Sequence, residues 1–217
     1  MSHQHKLKLA IFDWDGTIMD SVSRIVESMQ CAARRANLVV PTEQAVKDII
    51  GLSLAPAFEQ LFGKLSPAMT NTMSDYYRQE YLDENRSETP IFNGIEQVLT
   101  TLKSQGYLLA VATGKSRVGL DRLMKESGLA HFFNDTMTAD EAESKPSPQM
   151  IETLLTRLGV NRGETIMVGD SILDMQMARN AQVSAIGVSY GAHTPEVLSG
   201  ANPKAIVDSP MALLSYI

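Results

Sequence analysis

A chain of 217 residues with 44% hydrophobic and 20% charged side chains has the make-up of a folded globular protein, either one large domain or one domain carrying a smaller insertion. Its formal net charge of -6 gives nucleic acid or an anionic membrane nothing to hold, so neither is an expected partner. The single cysteine, Cys31, excludes an internal disulfide and fits a reducing, cytoplasmic setting.

No apolar run approaches the roughly 18 residues of a membrane span, and the opening MSHQHKLKLA lacks the apolar stretch of a signal peptide. His3 and His5 fall in this short polar tail and are expected to be disordered rather than metal ligands. Lys8 to Phe12 reads as a short buried strand closed by a turn signal. Ser21 to Leu38 reads as a helix, with Val22, Ile25, Val26, Met29 and Ala33 at helical spacing, and Arg34-Arg35 as its solvated face. Thr42 is a candidate N-cap for another short helix. Gly51, Pro56, Gly63 and Pro67 punctuate further helical pieces, and no strand is expected from residue 22 to about 88.

Beyond Pro90 the pattern changes to alternating helices and strands. GIEQVLTTLKSQG reads as a helix closed by Gly106, YLLAVAT as a buried strand, and Ser116 to Ser127 as a helix ending at Gly128. DTMTA is a weaker strand, and Ser147-Pro148 opens a helix with Ser147 as N-cap. TIMVGD, SAIGVS and AIVDS complete the strands, with a helix from Ile172 to Ala181 between the first two. Such alternation predicts an α/β fold, a parallel sheet with helices on both faces. The strand at residues 8–12 stands apart, separated from the rest by a helical insertion.

In open parallel sheets ligands bind at the carboxyl ends of the strands. The first strand ends in DWDGT, with Asp13, Asp15, Gly16 and Thr17; the next in ATGKS, with Thr113, Gly114 and Lys115. ESKPSP then places Lys145 in a loop, and VGDSILD brings Asp170 and Asp174. Clustered carboxylates repel unless a cation or proton intervenes, and Asp13, Asp15 and Asp170 offer the hard oxygens that suit Mg2+. An i, i+2 pair at a strand end places both carboxyls on one side, where one can attack phosphorus and the other move protons. Gly16 lets the backbone turn close to a ligand; Thr113 and the Gly114 N–H can bond phosphoryl oxygens, and Lys145 supplies fixed positive charge. Gly16, Thr17, Thr113, Gly114 and Lys115 form the expected substrate-binding set, and Trp14 is expected to be a wall of the site.

The order DxDGT, strand-Thr, Lys-Pro, GDxxxD resembles the haloacid dehalogenase superfamily over nearly the whole chain. The helical insertion after the first motif is similar to the cap of its phosphoglycolate phosphatase and β-phosphoglucomutase branch. The resemblance implies a Rossmann-like core at residues 1–20 and 89–217 and an all-α cap at 21–88. It implies a Mg2+-dependent hydrolase of small phosphorylated metabolites, as a monomer or homodimer. Position by position, it implies Asp13 as nucleophile, Asp15 as general acid/base, Thr113 as phosphate ligand and Lys145 as the fixed cation. It assigns the metal to Asp13, Asp170 and the Asp15 backbone carbonyl, with Asp174 as the second acidic position of the last motif. In the cap, Gly51 and Leu52 are expected to face the site.

Rival readings are weighed on the same residues. In VATGKS a phosphate-binding P-loop would need glycine at position 109, which is Leu109. Dehalogenases proper do not need Asp15. Phosphonatase-like members lack an acid at that position and use a cap lysine, for which Lys47 and Lys64 are the candidates here. A phosphomutase shares every core motif and differs only in its cap. Intact Asp13, Asp15, Lys145 and Asp170 argue against a non-catalytic binding protein.

Overall fold

The computed structural model describes residues 7–85 and 87–217, so His3 and His5 lie outside the described residues. A six-stranded sheet runs β3-β2-β1-β4-β5-β6, and every neighbouring pair is parallel. The strands are β1 (Leu9–Phe12), β2 (Leu108–Ala112), β3 (Asp135–Met137), β4 (Thr165–Gly169), β5 (Ser184–Val188) and β6 (Ala205–Val207). Strand β1 lies in the middle. The chain adds β2 and β3 on one side of it, then crosses to add β4, β5 and β6 on the other. That reversal is a topological switch point, where such sheets hold their ligands.

Period-2 alternation divides the core. Ala10 and Phe12 of β1 join Leu109 and Val111 on one face, covered by Val98 and Leu102 of α5 (Ile95–Ser104) and Leu120 of α6 (Arg117–Ser127). Leu9 and Ile11 join Ala110 and Met167 on the other, covered by Ile151 and Leu154 of α7 (Gln149–Leu158) and Met175 of α8 (Ile172–Asn180). A short α9 (Pro195–Ser199) precedes β6. Trp14 continues the alternation of Ala10 and Phe12, so its ring is fully buried beneath the sheet, 6.3 Å from the Phe133 ring. It is a core residue and not a wall of the site.

Between β1 and α5 lie α1 (Val22–Arg35), α2 (Glu43–Lys47), α3 (Leu54–Phe62), α4 (Pro67–Gln79) and a π-helical turn at Glu80–Glu84. They share an apolar core of their own, built from residues such as Val26, Met29, Val46, Phe58 and Met73. Thr42 caps α2 by accepting the Ala45 N–H at 3.2 Å, as its sequence position predicts. Arg35 is not simply solvated: its guanidinium reaches Glu80 at 2.8 Å and lies 4.3 Å from the Tyr76 ring centre, tying α1 to the end of α4. Cys31 is half-buried and accepts from Arg34 at 3.1 Å. The start of α7 also differs from expectation. The helix begins at Gln149 with Pro148 at the cap position: the first helical bond runs from the Glu152 N–H to the Pro148 carbonyl at 3.0 Å, and the Ser147 hydroxyl donates to Glu143 at 2.8 Å.

The two ends of the helical segment meet. The Asp20 N–H donates to the Pro90 carbonyl at 2.8 Å, the Phe92 N–H donates to the Ile18 carbonyl at 3.0 Å, and Met19 pairs antiparallel with Ile91. Among the described residues, no helix is long and apolar enough to cross a membrane.

Candidate active site

The sheet register brings the motif residues together. Phe12 is level with Val111 of β2 and Val168 of β4, so the residues just past these strands stand side by side. They are Asp13, Thr113 and Asp170. Buried strands on both flanks leave Asp13 almost no solvent, 1% of its surface.

Lys145 sits at the centre of the charge arrangement. Its ammonium is 2.9 Å from Asp13 Oδ1 and donates to Asp174 Oδ1 at 2.7 Å, with a side chain that is fully buried. Burial alone would lower the lysine, but the Asp13 and Asp174 carboxylates more than offset this and hold it above its usual range. Asp174 is fixed through its other oxygen, which accepts from the Ser171 N–H at 3.1 Å and the Ser171 hydroxyl at 2.6 Å. This is the reciprocal cap of α8, and it aims Asp174 back into the site. Asp170 accepts from the Thr17 hydroxyl at 3.2 Å and the Ala192 N–H at 2.7 Å.

Asp13, Asp170 and Asp174 each offer an oxygen within 4.8 Å of the others. Three buried carboxylates face one ammonium, so the cluster is short of positive charge. Burial pushes the Asp13 carboxyl up to about 7, with Asp174 and Asp15 adding to the rise and Lys145 opposing it. Asp170 is raised well above the ordinary range, first by burial and then by the Asp13 and Asp174 charges. Neither Asp13 oxygen receives a well-aligned hydrogen bond from the described residues. Orphaned, buried, hard oxygen donors of this kind fit a divalent cation such as Mg2+.

The other expected residues divide between two roles. Thr113, Gly114 and Lys115 line a cavity of about 790 Å3 above Asp13 and Asp15. Gly16 and Thr17 do not face this cavity, which departs from the expectation that they bind substrate. The Thr17 hydroxyl is spent on Asp170, and Gly16, at φ +70°, makes room for that same carboxylate; an added Cβ would lie 2.0 Å from Asp170 Oδ2. Asp15 likewise stands apart from the carboxylate cluster. Its Oδ1 accepts from the Ser21 hydroxyl at 2.5 Å and lies 3.0 Å from the Lys115 ammonium, so its side chain faces the cavity edge.

The helical segment roofs the cavity. Gly51 and Leu52 sit close above the strand ends, as expected: a Cβ on Gly114 would stand 2.5 Å from the Gly51 carbonyl oxygen and 2.7 Å from that of Leu52. Several contributors were not legible as such. Tyr81 lies 4.7 Å beneath the Lys115 ammonium and accepts from it at 3.4 Å, but SDYYRQEYL reads only as helix. Ser21 reads as a helix start, with no sign of its bond to Asp15. The Ala192 amide arrives from the loop after β5, where no side chain marks it. Only Ser171 carries a usable signal, the Ser-x-x-Asp of a capping box.

The haloacid dehalogenase-like hydrolase family matches residues 10–188 of this chain. The chain belongs to that family. Among curated members it is 36% identical over 205 residues to "Probable phosphatase IndB" of Dickeya dadantii, covering 93% of this chain and 89% of that one. It is 28% identical to a phosphoglycolate phosphatase of Vibrio cholerae, over 97% of each chain. Among solved structures, a "predicted phosphatase" from Clostridium acetobutylicum superposes with a TM-score of 0.85 at 26% identity, over 97% of each chain. As a haloacid dehalogenase-like hydrolase, the chain carries its charged motif residues at the carboxyl edge of a six-stranded parallel sheet.

The contact at Gly114 gives a direct test of how tightly the helical roof sits. Gly114→Ala should lower stability to urea by about 1–3 kcal/mol, the usual cost of overpacking. A Gly114→Ala protein as stable as the parent would mean that the roof does not close on the strand ends as described.

Proposed function

We propose that this protein is a phosphatase of small phosphate monoesters, acting through Asp13, with residues 1–20 and 89–217 as core and 21–88 as cap. The observation that carries this reading is the Asp13 carboxylate: buried, on the cavity floor, beside Lys145, and without an aligned hydrogen bond among the described residues. An anion kept so poorly satisfied is a nucleophile held ready. The phosphatase names of the relatives support the same reading.

Asp13 attacks phosphorus and takes the phosphoryl group as an aspartyl-phosphate. Lys145 keeps Asp13 in place and faces the charge on the transferring group. The Thr113 hydroxyl, whose oxygen accepts the Lys115 N–H at 3.3 Å, and the backbone amide of Gly114 hold phosphoryl oxygens. Asp15 gives a proton to the departing alcohol oxygen and later takes one from the hydrolytic water. Its Ser21 and Lys115 contacts both fall on Oδ1, which leaves Oδ2 for that proton. Asp13, Asp170 and the Asp15 backbone carbonyl would hold Mg2+, with Asp174 beside them; the ion would offset the excess negative charge and draw electron density from the phosphoryl oxygens. The cap closes over the ester and excludes bulk water. A cytoplasmic location is part of this reading, supported by the lone cysteine.

The deciding experiment is phosphate release from a panel of phosphorylated metabolites, including phosphoglycolate and hexose 1-phosphates, with and without Mg2+. Release should require Mg2+, and Asp13→Asn should reduce it by at least about 10³-fold while the fold persists by circular dichroism. Interconversion of hexose phosphates without release would instead make the protein a mutase.

Asp15→Asn should slow alkyl phosphates by about 10²–10⁴-fold and p-nitrophenyl phosphate far less, since that leaving group needs little protonation. Equal losses on both esters would remove Asp15 as the acid.

The cation site has a readout independent of turnover. Saturating Mg2+, at about 100 times its dissociation constant, should raise Tm by roughly 5–10 °C. Asp170→Asn should abolish most of that shift; a shift of undiminished size would place the ion elsewhere.

A further inference from the structure

The cavity is far larger than a two-carbon alcohol needs, and its walls are not those of a site for a second anion. Its volume of about 790 Å3 lies in the range that accepts a whole ring-bearing ligand. On the cap side the cavity is lined by Ile25, Ile50 and Leu52. The Lys115 ammonium is engaged with Asp15 at 3.0 Å. Arg78 and Arg122 also line the cavity, but their side chains are 58% and 36% exposed and lie 3.7 Å from Asp75 and 3.5 Å from Glu126, at the rim. A carboxylate a few bonds from phosphorus would therefore be desolvated against isoleucine and leucine, and the cations among the described lining residues, Lys115, Arg78 and Arg122, are each already paired with a carboxylate.

An aromatic wall stands beside it. The rings of Tyr77 and Tyr81 face the cavity with centres 5.9 Å apart and planes 31° apart. Tyr81 already carries the Arg24 guanidinium, 5.0 Å from its centre, and the Lys115 ammonium, 4.7 Å away, which leaves Tyr77 as the stacking surface. Further out, Leu82 and Val118 leave 42% and 80% of their surface exposed at the opening and form an apolar lip. Neutral hydrogen-bonding groups, Asn71 and Ser74 of α4, complete this side. Aromatic faces are electron-rich; they favour a flat ring and disfavour an anion.

We propose that the site selects phosphate monoesters whose leaving alcohol is uncharged and carries a flat aromatic ring, stacked on Tyr77. This rests on the phosphatase reading and narrows it. The chemistry is that already given: the P–O bond to the alcohol breaks, the phosphoryl group passes to Asp13, and Asp15 protonates the departing oxygen.

Three esters that each release a primary alcohol test it on the full-length protein with Mg2+: benzyl phosphate, ethyl phosphate and phosphoglycolate. The expected result is a kcat/KM for benzyl phosphate at least about tenfold above each of the others. Tyr77→Leu keeps apolar bulk and should cut the benzyl-to-ethyl ratio about fivefold, while Tyr77→Phe should keep it. The ratio is internal to each variant, so partial misfolding does not imitate the effect. Phosphoglycolate turned over as well as benzyl phosphate, or a ratio unmoved in Tyr77→Leu, overturns the proposal and leaves the phosphatase reading standing. No release from these esters or from p-nitrophenyl phosphate overturns both.

Discussion

One buried ammonium organises this protein. Lys145 stands between Asp13 and Asp174, shut off from water, and without it three carboxylates would face one another in a medium that screens charge poorly. A single cation cannot balance the cluster, and the surplus is what gives the site its character. It leaves the Asp13 oxygens without an aligned hydrogen bond among the described residues and gathers three carboxylates of a kind that fits a divalent cation. The supporting bonds serve the same end. Ser171 fixes Asp174, Thr17 and the Ala192 amide fix Asp170, and Gly16 makes way for that carboxylate.

The fold's contribution is to make these neighbours out of residues far apart in sequence. Thr17 and Asp170 are 153 positions apart and share a hydrogen bond. Parallel pairing of β1 with both β2 and β4 does this, because all three strands then end at the same edge. Two apolar faces, each covered by helices, hold the register, since a slip by one residue would turn Phe12 and Ile11 to the wrong sides.

What was readable in the sequence follows from distance along the chain. Strand-end motifs are local: an apolar run, a turn, and a chemical group at a fixed offset. Asp13, Thr113, Lys145 and Asp170 were therefore visible. Roles that depend on what a side chain meets across space were not. Thr17 reads as a substrate ligand until Asp170 is seen to occupy its hydroxyl. Trp14 reads as a site wall because it lies between two acids, although strand alternation already assigns it to the side of Phe12. Tyr81 reads as ordinary helix, since its partners Lys115 and Arg24 lie on other elements.

The helical segment leaves and rejoins the core at adjacent points, where Met19 pairs with Ile91 and the Asp20 amide bonds to the Pro90 carbonyl. To the core, everything between is a closed loop. Its closure cost grows only with the logarithm of its length, about 0.6 kcal/mol for each doubling. The sheet is thus nearly indifferent to what hangs from that clamp. Roofs of different size and chemistry can be exchanged on one catalytic floor, so the specificity of such a protein is free to change faster than its reaction.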